Sequence, residues 1–223
     1  MQVFYYCRDL TQKSQLNRQV TSFWIANISI IGNIFFDSGG LIMTNSTEPQ
    51  RNIILIGFMG SGKTVIGRET ARLLDMDFAD TDEEIREVTG YTLPQLFRKH
   101  GEIRCRSEEK LIINKLAKRN NIVIACGGSL PPQQENLRTL SDSGWFVLLT
   151  AKPEIIKERL TRKKDRILTQ GKPTPELISR QAATWEENYT PYVNYRIDSG
   201  SMDVESAART IAAEYRFNLK SIK

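Results

Sequence analysis

The chain of 223 residues has few of the side chains that build metal centres and nucleophilic triads. It contains one histidine, His100, and three cysteines, Cys7, Cys105 and Cys126, with no C-x-x-C pair. A single histidine excludes histidine clusters for metals and argues against a Ser-His-Asp triad. The odd cysteine count argues against a disulfide framework or a zinc site and favours a reducing, cytoplasmic location. Acid–base chemistry is therefore expected of carboxylates.

The sequence also lacks a membrane-spanning segment and a massed basic patch. Its apolar run at 23–36 is too short to cross a bilayer. The formal net charge is +5, which suits a protein that handles anionic ligands, but the basic residues are scattered along the chain. We therefore expect neither a membrane nor a nucleic acid as partner, and we expect a monomer.

Residues 1–42 differ from the rest of the chain. Arg8, Lys13 and Arg18 precede the apolar run, as in a signal peptide, but no small-x-small cleavage site follows it. A second interpretation is that Met43 is the initiator and that 1–42 is translated upstream DNA. We therefore expect 1–42 to be an extension outside the fold and 43–223 to form one domain, as the length allows.

From residue 52 onward, short apolar runs alternate with helical patterns. Continuous apolar runs bounded by glycine or charge are typical of buried parallel strands. This alternation predicts an α/β fold, a doubly wound, five-stranded parallel sheet with helices on both faces, whose ligands bind beyond the carboxyl ends of the strands. The predicted strands are 53–56, 76–79, 122–125, 145–149 and 196–198. The predicted helices are 63–74, 83–89, 92–99, 102–119, 133–143, 153–163, 176–188 and 202–215.

The segment GFMGSGKT at 57–64 matches the pattern G-x-x-x-x-G-K-[ST] of an ATP-binding P-loop. Its glycines let backbone N–H groups point at phosphate oxygens, and the following helix presents its positive end to the same anion. Lys63 is expected to reach the β- and γ-phosphates, and the Thr64 hydroxyl to bind Mg²⁺. The strand before the motif and the helix after it strengthen this prediction.

Two carboxylates follow the second predicted strand, at Asp80 and Asp82. In an extended segment they would point to opposite faces, one toward the P-loop magnesium and one toward a separate ligand. The alternative is that they belong to a turn and a helix N-cap.

A glycine pair and two arginines each have two interpretations. Gly127 and Gly128, after the third strand, either form a turn or offer N–H groups to an anion. Arg159 and Arg166 lie in KERLTRKKDRIL, which is either a solvated basic helix end or the site of a mobile arginine that closes over the triphosphate.

Together these motifs resemble the shikimate kinase family over about 51–215. The match lies in RNIILIGFMGSGKTVIGRETARLLDMDFADTDEEI, in GEIRCRSEE and in the glycine pair, which occur in the family's order. The resemblance implies a nucleoside-monophosphate-kinase-like P-loop fold with a lid. It also implies a kinase that uses ATP and Mg²⁺ to phosphorylate the 3-hydroxyl of shikimate, on the route to chorismate and the aromatic amino acids.

The resemblance implies a role for each matching residue. The ATP-binding set would be Gly60, Ser61, Gly62, Lys63, Thr64, Val65, Arg159 and Arg166. The catalytic set would be Lys63, Asp80 and the lid arginine Arg166, with Thr64 and Asp80 at the metal. The substrate-binding set would be Asp82, Arg106, Gly127 and Gly128, with Glu109 orienting Arg106.

The chain departs from the family near its C-terminus. The family has a second carboxylate-binding arginine four residues before a tyrosine, but 185–189 is WEENY. If Tyr192 is the anchor instead, Asn188 occupies that position. Either Arg180 or Arg196 substitutes, or the substrate is another polyol or sugar acid such as gluconate. A non-catalytic nucleotide-binding paralogue is the third hypothesis. Cys126, Ser129 and Ile167 are further departures.

Overall fold

The computed structural model describes the backbone at 34–37, 40–43, 51–128, 132–162 and 174–221. Side chains are described within 51–128, 132–162 and 174–219. The predictions for Ser129, Arg166 and Ile167, and for a lid around Arg166, fall outside these residues.

The chain divides into two units, Met1–Glu48 and Pro49–Lys223. In the first, strands β1 (Ile34–Asp37) and β2 (Gly40–Met43) pair in antiparallel fashion. The assignment of Met43 as initiator stays a prediction.

The second unit has alternating strands and helices, in the order predicted. Its strands are β3 (Asn52–Ile56), β4 (Asp77–Asp80), β5 (Ile122–Ala125), β6 (Gly144–Thr150) and β7 (Tyr195–Asp198). Its helices are α1 (Lys63–Leu74), α2 (Thr81–Thr89), α3 (Leu93–Leu116), α4 (Gln134–Ser141), α5 (Pro153–Thr161), α6 (Pro175–Tyr189) and α7 (Val204–Ser221), with a 3₁₀ turn at Thr190–Tyr192.

The five strands form one parallel sheet in the order β4-β5-β3-β6-β7. Alternate residues of the central strand β3 face opposite layers of the core. Ile54 packs in the layer that includes Leu116 and Phe146, whereas Ile53 packs in the layer that includes Ile211. Both faces are therefore covered, and the predicted doubly wound sheet is confirmed. Because β3 is central, the loop that follows it lies in the middle of the carboxyl edge.

One helix boundary that differs from the sequence prediction affects the site. Helix α2 begins at Thr81 rather than at 83, because the Asp80 side chain caps it by accepting from the Asp82 N–H. The break predicted between the helices at 92–99 and 102–119 is present, because Gly101 within Leu93–Leu116 has the non-helical angles φ 78° and ψ −179°. A capping box of Thr92 and Gln95 fixes the start of α3.

Among the described residues, no helix has the length and apolarity needed to cross a membrane.

Candidate active site

A cavity of about 510 Å³ opens at the carboxyl edge of the sheet, where the P-loop follows β3. Residues that follow all five strands line it, which agrees with the expectation for a doubly wound sheet. The lining comprises Met59, Gly60, Gly62, Lys63, Thr64, Val65, Ile66, Asp80, Asp82, Glu83, Arg86, Thr92, Leu93, Pro94, Cys126, Gly127, Gly128, Arg159, Arg162, Ser199, Met202 and Val204.

The P-loop bends around the position expected for a phosphate group. Gly57, Gly60 and Gly62 have φ values of 140°, 83° and 94°, which residues with a side chain rarely adopt. Lys63 begins α1 and is buried, and its Nζ donates to the carbonyl oxygens of Gly57 (2.7 Å) and Phe58 (3.1 Å). The loop and its lysine are therefore held together before any ligand binds.

Thr64 and Asp80 meet across the cavity, although 16 residues separate them in sequence. The Thr64 hydroxyl donates to Asp80 Oδ2 at 2.6 Å, while Asp80 Oδ1 accepts from the Asp82 N–H at 2.9 Å. The expectation of an extended segment from 80 to 82 is wrong, because the helix begins at Thr81. Asp80 is thus both an N-cap and a partner of the P-loop, two roles that the sequence presented as alternatives.

The glycine pair after β5 makes room for side chains of the site. A β-carbon at Gly127 would collide with the carboxylate of Asp82, and one at Gly128 would lie 2.8 Å from the Nζ of Lys63. The Gly127 N–H donates to the Thr81 hydroxyl at 2.7 Å. The absence of side chains at Gly127 and Gly128 therefore leaves room for Asp82 and Lys63. The N–H of Gly127 is already hydrogen-bonded to Thr81.

Arg106 lies beside the main cavity rather than among the residues that line it. Its guanidinium contacts Glu102 at 3.1 Å and Glu109 at 3.4 Å. Glu109 lines a neighbouring cavity of about 40 Å³, which shares Cys126 and Gly127 with the main one. Arg106 is therefore held beside the main cavity by two carboxylates of its own helix, those of Glu102 and Glu109.

Burial raises the pKa of Glu109 to about 7, against the attraction of Arg106 and with the added repulsion of Asp82. The loss of hydration on burial therefore outweighs the ion pair with Arg106. The charge around Arg106 therefore depends on pH near neutrality.

We expect the substitution Glu109→Gln to change the thermal stability in a pH-dependent way. A raised pKa in the folded state means that the folded protein binds more protons than the unfolded one between pH 4.5 and about 7. Wild-type stability should therefore fall as pH rises through this range, by about 1–3 kcal/mol. Glutamine does not titrate, so the difference in Tm, variant minus wild type, should increase from pH 5 to pH 8. A constant difference across this range would contradict the raised pKa.

Arg159 reaches the P-loop from the opposite side of the cavity. Its guanidinium donates to the carbonyl oxygens of Gly60 (3.1 Å) and Ser199 (2.9 Å), and the Ser199 hydroxyl donates to Ser61 O at 2.6 Å. These bonds tie the ends of β6 and β7 to the loop. Val65, Met202 and Val204 add an exposed apolar surface on this side.

The positions considered for a second carboxylate-binding arginine do not line the cavity. Trp185 is buried against Phe58, with ring centroids 4.9 Å apart. Asn188 accepts from Gln134 at 3.1 Å, and Arg196 pairs with Glu186. Neither Arg180 nor Arg196 lines the cavity.

Arg86 and Ser199 are among the residues of the site that the sequence prediction missed. Arg86 lines the cavity and lies one helical turn after Asp82. A prediction that began the helix at Thr81 would have placed these two side chains on the same helix face. Ser199 is buried and links β6 and β7 to the P-loop, but a serine after a short edge strand carries no distinctive signal.

The fold and the cavity define a P-loop kinase of the α/β class. The family model described as shikimate kinase matches residues 59–216. The chain therefore belongs to the shikimate kinase family, and it is an enzyme of the kinase class.

Individual relatives agree with this assignment. A shikimate kinase of Pelotomaculum thermopropionicum is 43% identical over 162 residues, which cover 73% of this chain and 94% of that protein. The structure of the Acinetobacter baumannii shikimate kinase in complex with shikimate superposes with a TM-score of 0.72 at 32% identity, covering 79% of this chain and 98% of that one. A gluconokinase of Sinorhizobium meliloti has a TM-score of 0.53 at 18% identity over 78% of this chain and 96% of that one, and shares the fold alone.

Proposed function

We propose that this protein transfers the γ-phosphoryl group of ATP to the 3-hydroxyl of shikimate in the cytoplasm, as a step of aromatic amino-acid biosynthesis. The observation that carries the proposal is the meeting of the P-loop with Asp80 and Asp82 in one cavity, in a chain of the shikimate kinase family. The family uses ATP as co-substrate, and the related enzyme of Acinetobacter baumannii has been solved in complex with shikimate.

The donor side of the site would hold ATP through the P-loop and the residues after β6 and β7. The backbone N–H groups of 60–65 and the Nζ of Lys63 would bind the phosphates, because a helix start and a cation both favour anions. Arg159 and the apolar surface of Met202 and Val204 would pack against the base. Arg166 would stabilise the charge of the transferring group.

The residues present fit a magnesium ion. A threonine hydroxyl and a carboxylate 2.6 Å apart are oxygen donors of the kind that Mg²⁺ prefers, and magnesium sites in kinases usually keep several waters. Thr64 would bind the ion and Asp80 would support it through water. When bound, the ion would neutralise charge on the β- and γ-phosphates.

The acceptor side would hold shikimate against Asp82 and the glycine pair. Asp82 would accept hydrogen bonds from substrate hydroxyls, while Arg106, oriented by Glu109, would bind the carboxylate. The attacking hydroxyl oxygen would form a bond to the γ-phosphorus as the bond to the β–γ bridging oxygen breaks. Its proton would pass to the carboxylate of Asp80, and ADP would leave.

A coupled ADP-release assay with shikimate, gluconate and neutral polyols tests the proposal. We expect turnover of shikimate with a kcat/KM at least about a hundredfold above that of the other compounds, since buried polar groups of a site reject ligands that leave them unpaired. Preferred turnover of gluconate would replace the proposed substrate. A chain that binds ATP but turns over none of the compounds would be the nucleotide-binding paralogue.

A further inference from the structure

Of the residues that the structure describes, four basic side chains line the cavity, and three of them have protein partners. Lys63 and Arg159 donate to backbone carbonyls of the P-loop, and Arg162 pairs with Glu158 at 2.5 Å. Arg86 differs from these three. Its side chain is exposed to the cavity and makes no hydrogen bond or ion pair with any residue that the structure describes.

The acidic neighbours of Arg86 on α2 do not account for it. Glu83, three residues earlier, contacts Arg68 at 2.5 Å instead. Asp82, four residues earlier, packs its carboxylate against Gly127. Spacings of three and four residues usually favour ion pairs on a helix. The guanidinium thus keeps its donors available in a cavity that belongs to an enzyme with two anionic substrates.

The sheet order shows on which side of the cavity Arg86 lies. Strand β4 and helix α2 lie on one side of the central P-loop, whereas β6, β7 and α5 lie on the other. Arg86 therefore shares its side with Asp82, while Arg159 and Arg162 are on the side that approaches Ser199. Thr92, Leu93 and Pro94, at the start of α3, complete the cavity wall on the Arg86 side.

We propose that Arg86 binds the carboxylate of the acceptor acid and makes the enzyme selective for acids over neutral polyols. This inference rests on the proposed function and deepens it, because it identifies a cation that compensates for the arginine that is absent at 185 and at 188. A guanidinium offers a fork of donors that matches the two oxygens of a carboxylate. Arg106, already engaged by Glu102 and Glu109, would share the anion rather than hold it alone.

A cycle of two enzymes and two substrates tests Arg86. Wild type and Arg86→Gln are each assayed with shikimate and with its methyl ester, which keeps the hydroxyls but removes the negative charge. We expect Arg86→Gln to raise the KM for shikimate about tenfold, leave the KM for ATP unchanged, and shrink the preference for the acid over the ester by about the same factor. Because the Arg86 side chain forms no hydrogen bond or ion pair within the described part of the chain, the Tm should not change.

Arg180→Gln is the matched control, since Arg180 is exposed and lies outside the cavity. It should leave the KM and the acid-to-ester preference as in wild type. An unchanged preference in Arg86→Gln would overturn the proposal, as would a rise in the KM for ATP alone. If wild type itself fails to phosphorylate shikimate, the proposed function fails, a result that differs from shikimate turnover with an unchanged preference.

Discussion

Replacement of Lys63 by methionine should reduce kcat by about a thousandfold while the protein stays folded. The Nζ of Lys63 is fixed by two carbonyl oxygens of the P-loop and lies close to Gly128, between the donor and acceptor sides of the cavity. There it can follow the negative charge that moves with the phosphoryl group. Methionine keeps most of the side-chain volume and removes the charge. Single-turnover rates at saturating ATP would measure the loss directly.

The stability of the Lys63→Met protein serves as an internal control. Two carbonyl groups lose their donor, but a buried cation also disappears, and these effects oppose each other. We therefore expect the Tm to shift by only a few degrees. Lys110→Met is the external control, because Lys110 forms an exposed ion pair with Glu135 at 2.7 Å, and such pairs contribute little. A kcat of Lys63→Met within tenfold of wild type would contradict the assignment of Lys63 to the transfer step.

The features that depend on local sequence were predictable. The P-loop is a contiguous motif, and the continuous apolar runs at 53–56 and 122–125 are typical of buried strands. Helix α1 was predicted with the observed ends, because a glycine-lysine pair starts it and the apolar positions repeat at helical spacing. The pairing of Arg106 with Glu102 and Glu109 likewise follows from spacings of four and three residues.

The features that depend on strand order were not predictable. Nothing in the sequence shows that β4 and β5 are neighbours, so the contact between Asp82 and Gly127 had no local signal. The burial of Glu109 had none either, since its segment has the composition of a solvated helix. Arg86 was missed for a simpler reason. Because α2 was predicted to begin at 83, Asp80 was not recognised as its N-cap. Asp82 and Arg86 were therefore not seen to lie one turn apart on the same helix.

Asp80 combines a structural and a catalytic role, and one substitution should separate them. In Asp80→Asn the side-chain oxygen can still accept from the Asp82 N–H, so the cap of α2 survives. The amide can remain beside the Thr64 hydroxyl, but the negative charge is lost. We expect kcat to fall about a hundredfold to a thousandfold and the Mg²⁺ concentration for half-maximal rate to rise at least tenfold, because a carboxylate attracts Mg²⁺ far more strongly than an amide.

Initial rates at saturating ATP and shikimate over a range of free Mg²⁺ would measure both effects. Asp77→Asn is a matched control on the same strand, since Asp77 is exposed and pairs with Arg119 at 2.6 Å, away from the cavity. It should leave the magnesium dependence unchanged. Asp80→Ala should lose the rate and also about 1 kcal/mol of stability through the missing cap. A fall in kcat without a change in magnesium dependence would remove Asp80 from the metal site and leave it only as the base for the acceptor hydroxyl.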